Sequence, residues 1–164
     1  MSRPNQLART LARFEGLPTP LRERLVSLIL GRIVPLVGTA GLRFEEVSAR
    51  QVVVGIRNRR PVQNHIKGVH AAGMALLAET ATGFCVGMHL PDDKLPLIKT
   101  MQVDYLRRAQ GDLRATAALS PDQVAAMQTQ DKGEVTVAVR ITDAAGETPI
   151  EARMVWAWVP KTRR

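Results

Sequence analysis

Residues 64–88, NHIKGVHAAGMALLAETATGFCVGM, form the longest apolar run of the chain. No proline falls between Lys67 and Met88, and after Lys67 the one formally charged side chain is Glu79. A helix that is apolar on every side belongs inside a protein, with other elements wrapped around it. A carboxylate within such a helix costs free energy unless it is paired, hydrogen-bonded or used. The pattern predicts a buried helix that begins near His70 and ends near Gly83 and Gly87.

Upstream of this run, residues 4–14 place Leu7, Leu11 and Phe14 on one helical face, and Gly16 and Pro18 stop them. Thr19 reads as the cap of a second helix, with Pro20 at its first position, where a missing N–H costs nothing. Leu21, Leu25, Leu28, Ile29 and Ile33 recur at helical spacing, and Pro35 and Gly38 are expected to end that helix. These segments carry no chemistry and read as a lid or packing layer. From Gly41 the period changes to two: Leu42 and Phe44 alternate with Arg43 and Glu45, then Val52, Val54 and Ile56 with Val53 and Gly55.

Downstream, Leu90–Pro96 reads as a polar loop, and almost everything after it as strand. Met101, Val103 and Tyr105 share a face with Lys99. Leu113, Ala115 and Ala117 alternate with Asp112, Arg114 and Thr116. Val135, Val137, Val139 and Ile141 are followed by Ile150, Ala152, Met154, Trp156 and Trp158. Such alternation describes antiparallel strands with one buried face. Residues 120–131 are a connection with a helical turn started by Ser120 and Pro121. Alternating βαβ units are absent. The fold class is therefore α+β: a curved antiparallel sheet of about six strands wrapped around one long central helix. The chain divides into an N-terminal helical extension, residues 1–40, and a sheet-and-helix domain, residues 41–164.

The net charge of +8 favours phosphate-bearing partners in general. Aromatic residues are only 4%, and Arg3, Arg9, Arg13, Arg22, Arg24, Arg32, Lys161, Arg163 and Arg164 are scattered, so nucleic acid is not the favoured partner. Three arginines without an acid in the first fourteen residues loosely resemble an organelle transit peptide, which an amphipathic helix explains equally well. Glu79 interrupts the only candidate membrane span. The single cysteine, Cys85, suits a reducing compartment and a core position. A cytoplasmic protein is expected.

Asn64, Gly68, His70 and Glu79, with Tyr105 and the segment Leu106–Ala109 after it, carry a resemblance. Their spacing, with His six residues after Asn and an acid nine after His, resembles the hotdog-fold acyl-CoA thioesterases of the PaaI-like branch. A group of uncharacterised bacterial hotdog domains has a loop of the same style. The resemblance spans roughly residues 40–160. The family's Gly-Gly after the histidine is Ala71-Ala72 here, and its aspartate is Glu79.

The resemblance implies hydrolysis of an acyl-CoA thioester in a homodimer or a dimer of dimers. It implies no metal and no cofactor beyond the coenzyme A of the substrate. Glu79 is then base or nucleophile, the amides of His70 and Ala71 polarise the thioester carbonyl, and Asn64 and His70 position the reacting groups. Gly68, Lys67, Thr100, Arg107 and Arg108 are the substrate-binding candidates, with an acyl pocket drawn from Val69, Met74, Leu77 and the strand faces. The bland alternatives stand beside these: Glu79 held by the hydroxyl of Thr80 or Thr82, and His70 as a capping residue. A metal site of His65, His70 and Glu79 lacks ligand spacing. A non-catalytic hotdog module that binds an acyl or other apolar ligand is the rival function. Helix geometry adds a constraint: nine residues turn the helix by about 900° and advance it by about 13.5 Å. His70 and Glu79 of one chain thus point apart, and a shared site needs a second copy in antiparallel contact.

Overall fold

The axis of the fold is a helix, α4 (Ala71–His89), whose buried Met74, Leu77, Ala78, Ala81, Cys85 and Val86 meet the surrounding layers. The computed structural model describes residues 4–162; Arg3, Arg163 and Arg164 fall outside the described residues. Three helices precede the sheet: α1 (Gln6–Ala12), α2 (Thr19–Ile33) and α3 (Pro35–Ala40). The strands are β1 (Arg43–Val47), β2 (Val52–Ile56), β3 (Lys94–Tyr105), β4 (Leu113–Ala118), β5 (Gly133–Asp143) and β6 (Ile150–Pro160). A fifth helix, α5 (Pro121–Thr129), joins β4 to β5 and opens on a capping box made by Ser120 and Gln123.

All six strands form one antiparallel sheet in the order β1-β2-β4-β5-β6-β3, the hotdog arrangement. Its inner face follows from the alternation: Val52, Val54, Ile56, Val135, Val137, Ile141, Ile150, Met154 and Trp158 are buried against α4 and its neighbours. Each fully buried aliphatic side chain of this kind contributes about 1.5–3 kcal/mol. Both tryptophans also satisfy their polar edge, Trp156 Nε1 donating to Thr82 Oγ1 at 3.0 Å and Trp158 Nε1 to the Gln130 carbonyl at 3.0 Å.

Four local expectations change. The central helix does not stop at Gly83 and Gly87 but runs through both to His89. Gly83 is there for a packing reason: a Cβ on it would lie 2.7 Å from the Trp156 ring. Thr19 is the first residue of α2 rather than its cap, and no side chain caps that helix. Pro35 does end α2, but it also opens α3, which closes on Gly41 at φ 66°, a conformation that favours glycine. The expected loop 90–96 contains the start of β3. Lys94 is buried there, its Nζ donating to the Met127 and Gln130 carbonyls at 3.0 and 2.7 Å, the C-terminal end of α5.

By length and composition α4 meets the criterion for a helix that could cross a membrane. Its apolar surface is taken up by the sheet and by α1–α3, whose Leu11, Val26, Leu30 and Val37 join the same buried cluster. The two edges of the sheet differ. At β1 the Phe44 N–H donates to Ser27 Oγ of α2 at 2.9 Å, so a helix lies over that edge. β3 is the other edge, twelve residues long, and Leu95, Leu97 and Met101 along it are each more than 40% exposed.

Candidate functional site

The start of α4 is built by the loop before it. Asn64 Oδ1 accepts from the Ile66 and Gly68 N–H groups, both at 3.1 Å, and the Asn64 N–H donates to the Gly68 carbonyl at 2.9 Å. The closed turn leaves Lys67 at φ 61°, the one non-glycine residue with positive φ among the described residues. Asn64 is thereby fixed through its carbonyl, and its amide NH₂ remains as a donor. Next, the His70 N–H donates to the Val62 carbonyl at 2.8 Å. That amide is consumed in shaping the loop, so it does not serve as one of the two carbonyl-polarising donors expected from the sequence. His70 is the N-cap of α4, its Nδ1 accepting from the Ala72 N–H at 3.0 Å, which leaves the ring proton on Nε2. The Tyr105 hydroxyl donates to the Ala71 carbonyl at 2.9 Å, and burial lifts this phenol above its ordinary pKa, which keeps it a donor. The peptide between Ala71 and Ala72 is thus held at both ends. The Ala71 N–H, at the first helical position, has no acceptor among the described residues.

Beside this helix start lies a cleft of about 570 Å³ that gathers Lys67, Gly68, Arg107 and Arg108 with Asn58 and Gly111. Arg108 Nη2 donates to the Ile66 carbonyl at 3.0 Å, and Arg107 pairs with Glu147 at 2.9 Å. The exposed Lys67 brings a third positive charge. Asp143, not singled out from the sequence, fixes the far wall. It accepts from the Gln110 N–H at 3.0 Å and from the Ala145 and Glu147 N–H groups at 2.9 and 3.1 Å. Burial works to raise the Asp143 carboxyl, but these three amides and the Arg107 charge overcome it and hold the pKa below the ordinary value. The Asp-Ala-Ala-Gly run at 143–146 is the turn signal that marks this loop in the sequence.

Glu79 lies elsewhere. It is half-buried, and its one side-chain partner is the Thr80 hydroxyl at 3.5 Å, the outer limit of a hydrogen bond. Thr82 instead bonds the Ala78 and Glu79 carbonyls of the helix backbone at 2.9 and 3.0 Å. Burial raises the Glu79 carboxyl, and the Thr80 contact only partly opposes it. The carboxylate borders a cavity of about 230 Å³ whose other walls are apolar or small, among them Leu7, Val37, Phe84, Pro96 and Trp156. Val69, Met74 and Leu77, the expected acyl-pocket residues, line none of it: they are buried in the closed core, Val69 and Leu77 completely. Thr100, a substrate-binding candidate from the sequence, lines neither the cleft beside Lys67 nor the cavity beside Glu79. A bulge between Ile98 and Thr100 sets Thr100 opposite Val155, on the sheet face that alternates away from Met154 and Trp156.

The structure thus brings Asn64, His70 and Ala71 together at the helix start, with Lys67, Gly68, Arg107 and Arg108 beside them, and keeps Glu79 apart in the same chain. Among the described residues no three His, Cys, Asp or Glu side chains are arranged to hold a metal ion.

Comparison with known proteins adds a family and a set of relatives in structure. The family model described as Domain of unknown function (DUF4442) matches residues 22–159, so it takes in α2 and α3 as well as the sheet. A Pseudomonas aeruginosa protein of unknown function, described as a probable thioesterase, is 25% identical; the match covers 88% of this chain and 97% of that one, with a TM-score of 0.75. A thioesterase of Haemophilus influenzae is 13% identical over 82% of this chain and 91% of its own, with a TM-score of 0.65, a likeness of fold alone. No protein among the curated ones matches the chain.

Proposed function

The chain belongs to the family described as Domain of unknown function (DUF4442), and from that premise we propose that it hydrolyses an acyl-CoA thioester at a site shared between two copies of itself. One observation carries the proposal: a half-buried carboxylate of raised pKa, Glu79, sits on the same helix as a free N–H, that of Ala71, with the latter next to a basic cleft. Eight residues separate the two, about 12 Å along the axis, too far for one reacting carbon. The bare, apolar edge of β3 offers the surface through which a second copy pairs antiparallel. A two-fold axis at that edge would set Glu79 of one subunit against Ala71 of the partner subunit.

In that arrangement Glu79 takes a proton from water as the water oxygen adds to the thioester carbon, or its carboxylate adds directly and the resulting anhydride is hydrolysed. The oxyanion is stabilised by the Ala71 N–H and the positive end of α4. Collapse of the tetrahedral intermediate breaks the C–S bond, and the coenzyme A thiolate leaves with a proton. The Asn64 amide NH₂ orients the water or the carbonyl. Lys67, Arg107 and Arg108 meet the phosphates of coenzyme A. That the Pseudomonas protein is described as a probable thioesterase supports the same reading.

A second reading rests on one feature. The Ala71 methyl lies where the related hotdog enzymes have glycine, and the neighbouring His70 amide is already bonded, so of the two amides expected to polarise the carbonyl only that of Ala71 is free. A module that binds an acyl ligand without turning it over fits those facts as well. A panel of acyl-CoAs assayed with the wild type and Glu79→Gln separates the two. Hydrolysis abolished by the substitution supports the enzyme; binding that survives it, with no turnover on any substrate, supports the module. An active, strictly monomeric species in analytical ultracentrifugation would overturn the shared site.

A further inference from the structure

The cavity beside Glu79 is roofed by the N-terminal helices. Leu7 of α1, Ile33 of α2 and Val37 of α3 face Gly83, Phe84 and Trp156 across it. Its volume of about 230 Å³ holds about eight non-hydrogen atoms at the ~30 Å³ share of a liquid water molecule. A second cavity, of about 430 Å³, shares Leu7, Ile33, Phe84, Gly87 and Pro96 with the first. The two are therefore consecutive parts of one groove that runs beneath α1 and α2, from Glu79 towards Asp92 and Lys161. Leu7 packs on α4 where the two cavities meet: a Cβ on Gly87 would lie 3.4 Å from Leu7 Cδ2, so a chain passing there displaces the Leu7 side chain.

The roof is tied down to the helix that carries Glu79. Buried Asn5 donates from Nδ2 to the Gly87 and Leu90 carbonyls, both at 2.7 Å, while its Oδ1 caps α1 by accepting from the Ala8 N–H at 2.9 Å. The Gln6 N–H and the Arg9 guanidinium both reach Asp92, at 2.8 and 3.2 Å. A groove walled mostly by apolar side chains, headed by a carboxylate, with Asp92, Lys94 and Lys161 at its far end and an anchored roof, fits an unbranched alkyl chain better than a short polar acyl group.

We propose that this groove is the acyl-chain site, that α1–α3 form its selective wall, and that the substrates are medium- to long-chain acyl thioesters. About eight carbons fill the first cavity, and longer chains pass Leu7 and Gly87 into the second. The inference rests on the thioesterase reading and divides the substrate: the subunit that supplies Glu79 holds the acyl chain, and its partner holds coenzyme A.

The test measures binding of non-hydrolysable S-alkyl coenzyme A thioethers, from two to sixteen carbons, to the full chain by calorimetry, beside hydrolysis of the matching acyl-CoAs and of phenylacetyl-CoA. Affinity is expected to rise about fourfold per methylene, from ~0.8 kcal/mol per buried CH₂, up to about eight carbons and more gradually beyond. Gly87→Leu fills the junction of the two cavities from α4 and Leu7→Trp fills it from the roof; either is expected to lower the ratio of twelve-carbon to six-carbon affinity at least about tenfold. Melting curves show which of the two variants is folded, and the ratio is read from that one. Should both fail to fold, the length dependence of the wild type decides. Affinity independent of length, an unchanged ratio in a folded variant, or phenylacetyl-CoA hydrolysed faster than every straight-chain substrate would overturn the groove. Length-dependent thioether binding with no acyl-CoA hydrolysed would leave the groove standing and remove the hydrolytic reading. Hydrolysis without length dependence would do the reverse.

Discussion

The first turn of α4 and the turn around Glu79 belong to one helix and are opposite in kind. At the start, nearly every polar group has a partner at 2.8–3.1 Å: the Asn64 carbonyl, the His70 amide and ring, and the Ala71 carbonyl. The N–H groups of Ala71 and Gly73 have no acceptor among the described residues. In the middle, a carboxylate rests among apolar walls with a single hydroxyl at 3.5 Å. The saturated region is a framework that aims spare backbone donors, and the unsaturated one holds a carboxyl whose pKa burial raises. On the proposed reading, the two regions divide the work of hydrolysis between two subunits: fixed dipoles where charge develops, a titratable base where protons move.

The largest effect that tests this contrast is Glu79→Gln, which is expected to lower thioester hydrolysis by about 10³-fold or more while leaving coenzyme A binding in place. Steady-state kinetics beside calorimetry check both halves, and retained turnover would dissolve the contrast. Ala71→Pro attacks the other half. Proline is favoured at the first position of a helix, and His70 before it already has φ −61° and ψ 145°, as a residue preceding proline requires. Only the spare N–H is removed, so the fold should persist while turnover falls about 10²–10³-fold. Full activity in a folded Ala71→Pro variant would mean that the oxyanion is held elsewhere.

A smaller effect concerns pH. Burial raises the Glu79 carboxyl in the folded chain, so the folded state binds the proton more tightly than the unfolded one. Stability from this group is present below its unfolded value, near pH 4, and is lost as pH rises through the folded value. The melting temperature of Glu79→Gln should therefore gain on that of the wild type as pH rises above about 4, and a constant gap would contradict the buried, poorly partnered carboxylate. On the enzyme reading, turnover rises with pH as the Glu79 carboxyl ionises, at a pH above the ordinary carboxylate range. The smallest effect is Lys67→Gly. Removing a side chain from a left-handed backbone relieves strain of about 1 kcal/mol, partly offset by the freer unfolded chain. Thermal stability should hold or rise slightly while coenzyme A affinity drops about two- to tenfold, a loss smaller at high salt.

The strands were legible because each inward residue is separated from the next by one outward residue, and Val135 to Ile141 or Ile150 to Trp158 show this within ten residues. The central helix was legible as an apolar run. The glycines Gly83 and Gly87 were misread as its end, since local propensity ranks glycine as a breaker; the Trp156 ring that requires Gly83 lies more than seventy residues away in sequence. The open space beside Glu79 was not legible for a related reason. Val69, Met74 and Leu77 are apolar and near Glu79 in the chain, but they are buried in the core and line none of that cavity. Space is left where the helices of residues 4–40 bridge over α4, and no local pattern encodes a void.

The sequence by itself determined the period of each segment, the single acid in the apolar helix, and the cluster of Asn64, His70 and Ala71, because these depend on side chains within a turn or two of one another. Tertiary structure alone decided which polar groups are already occupied and which remain free. Tyr105 reaches Ala71, Asn5 reaches Gly87 and Leu90, and Trp156 reaches Thr82 across separations of 34 to 85 residues. Hydrogen bonds fall off within a few tenths of an ångström, so partnership over such spans exists only once packing has fixed the distances.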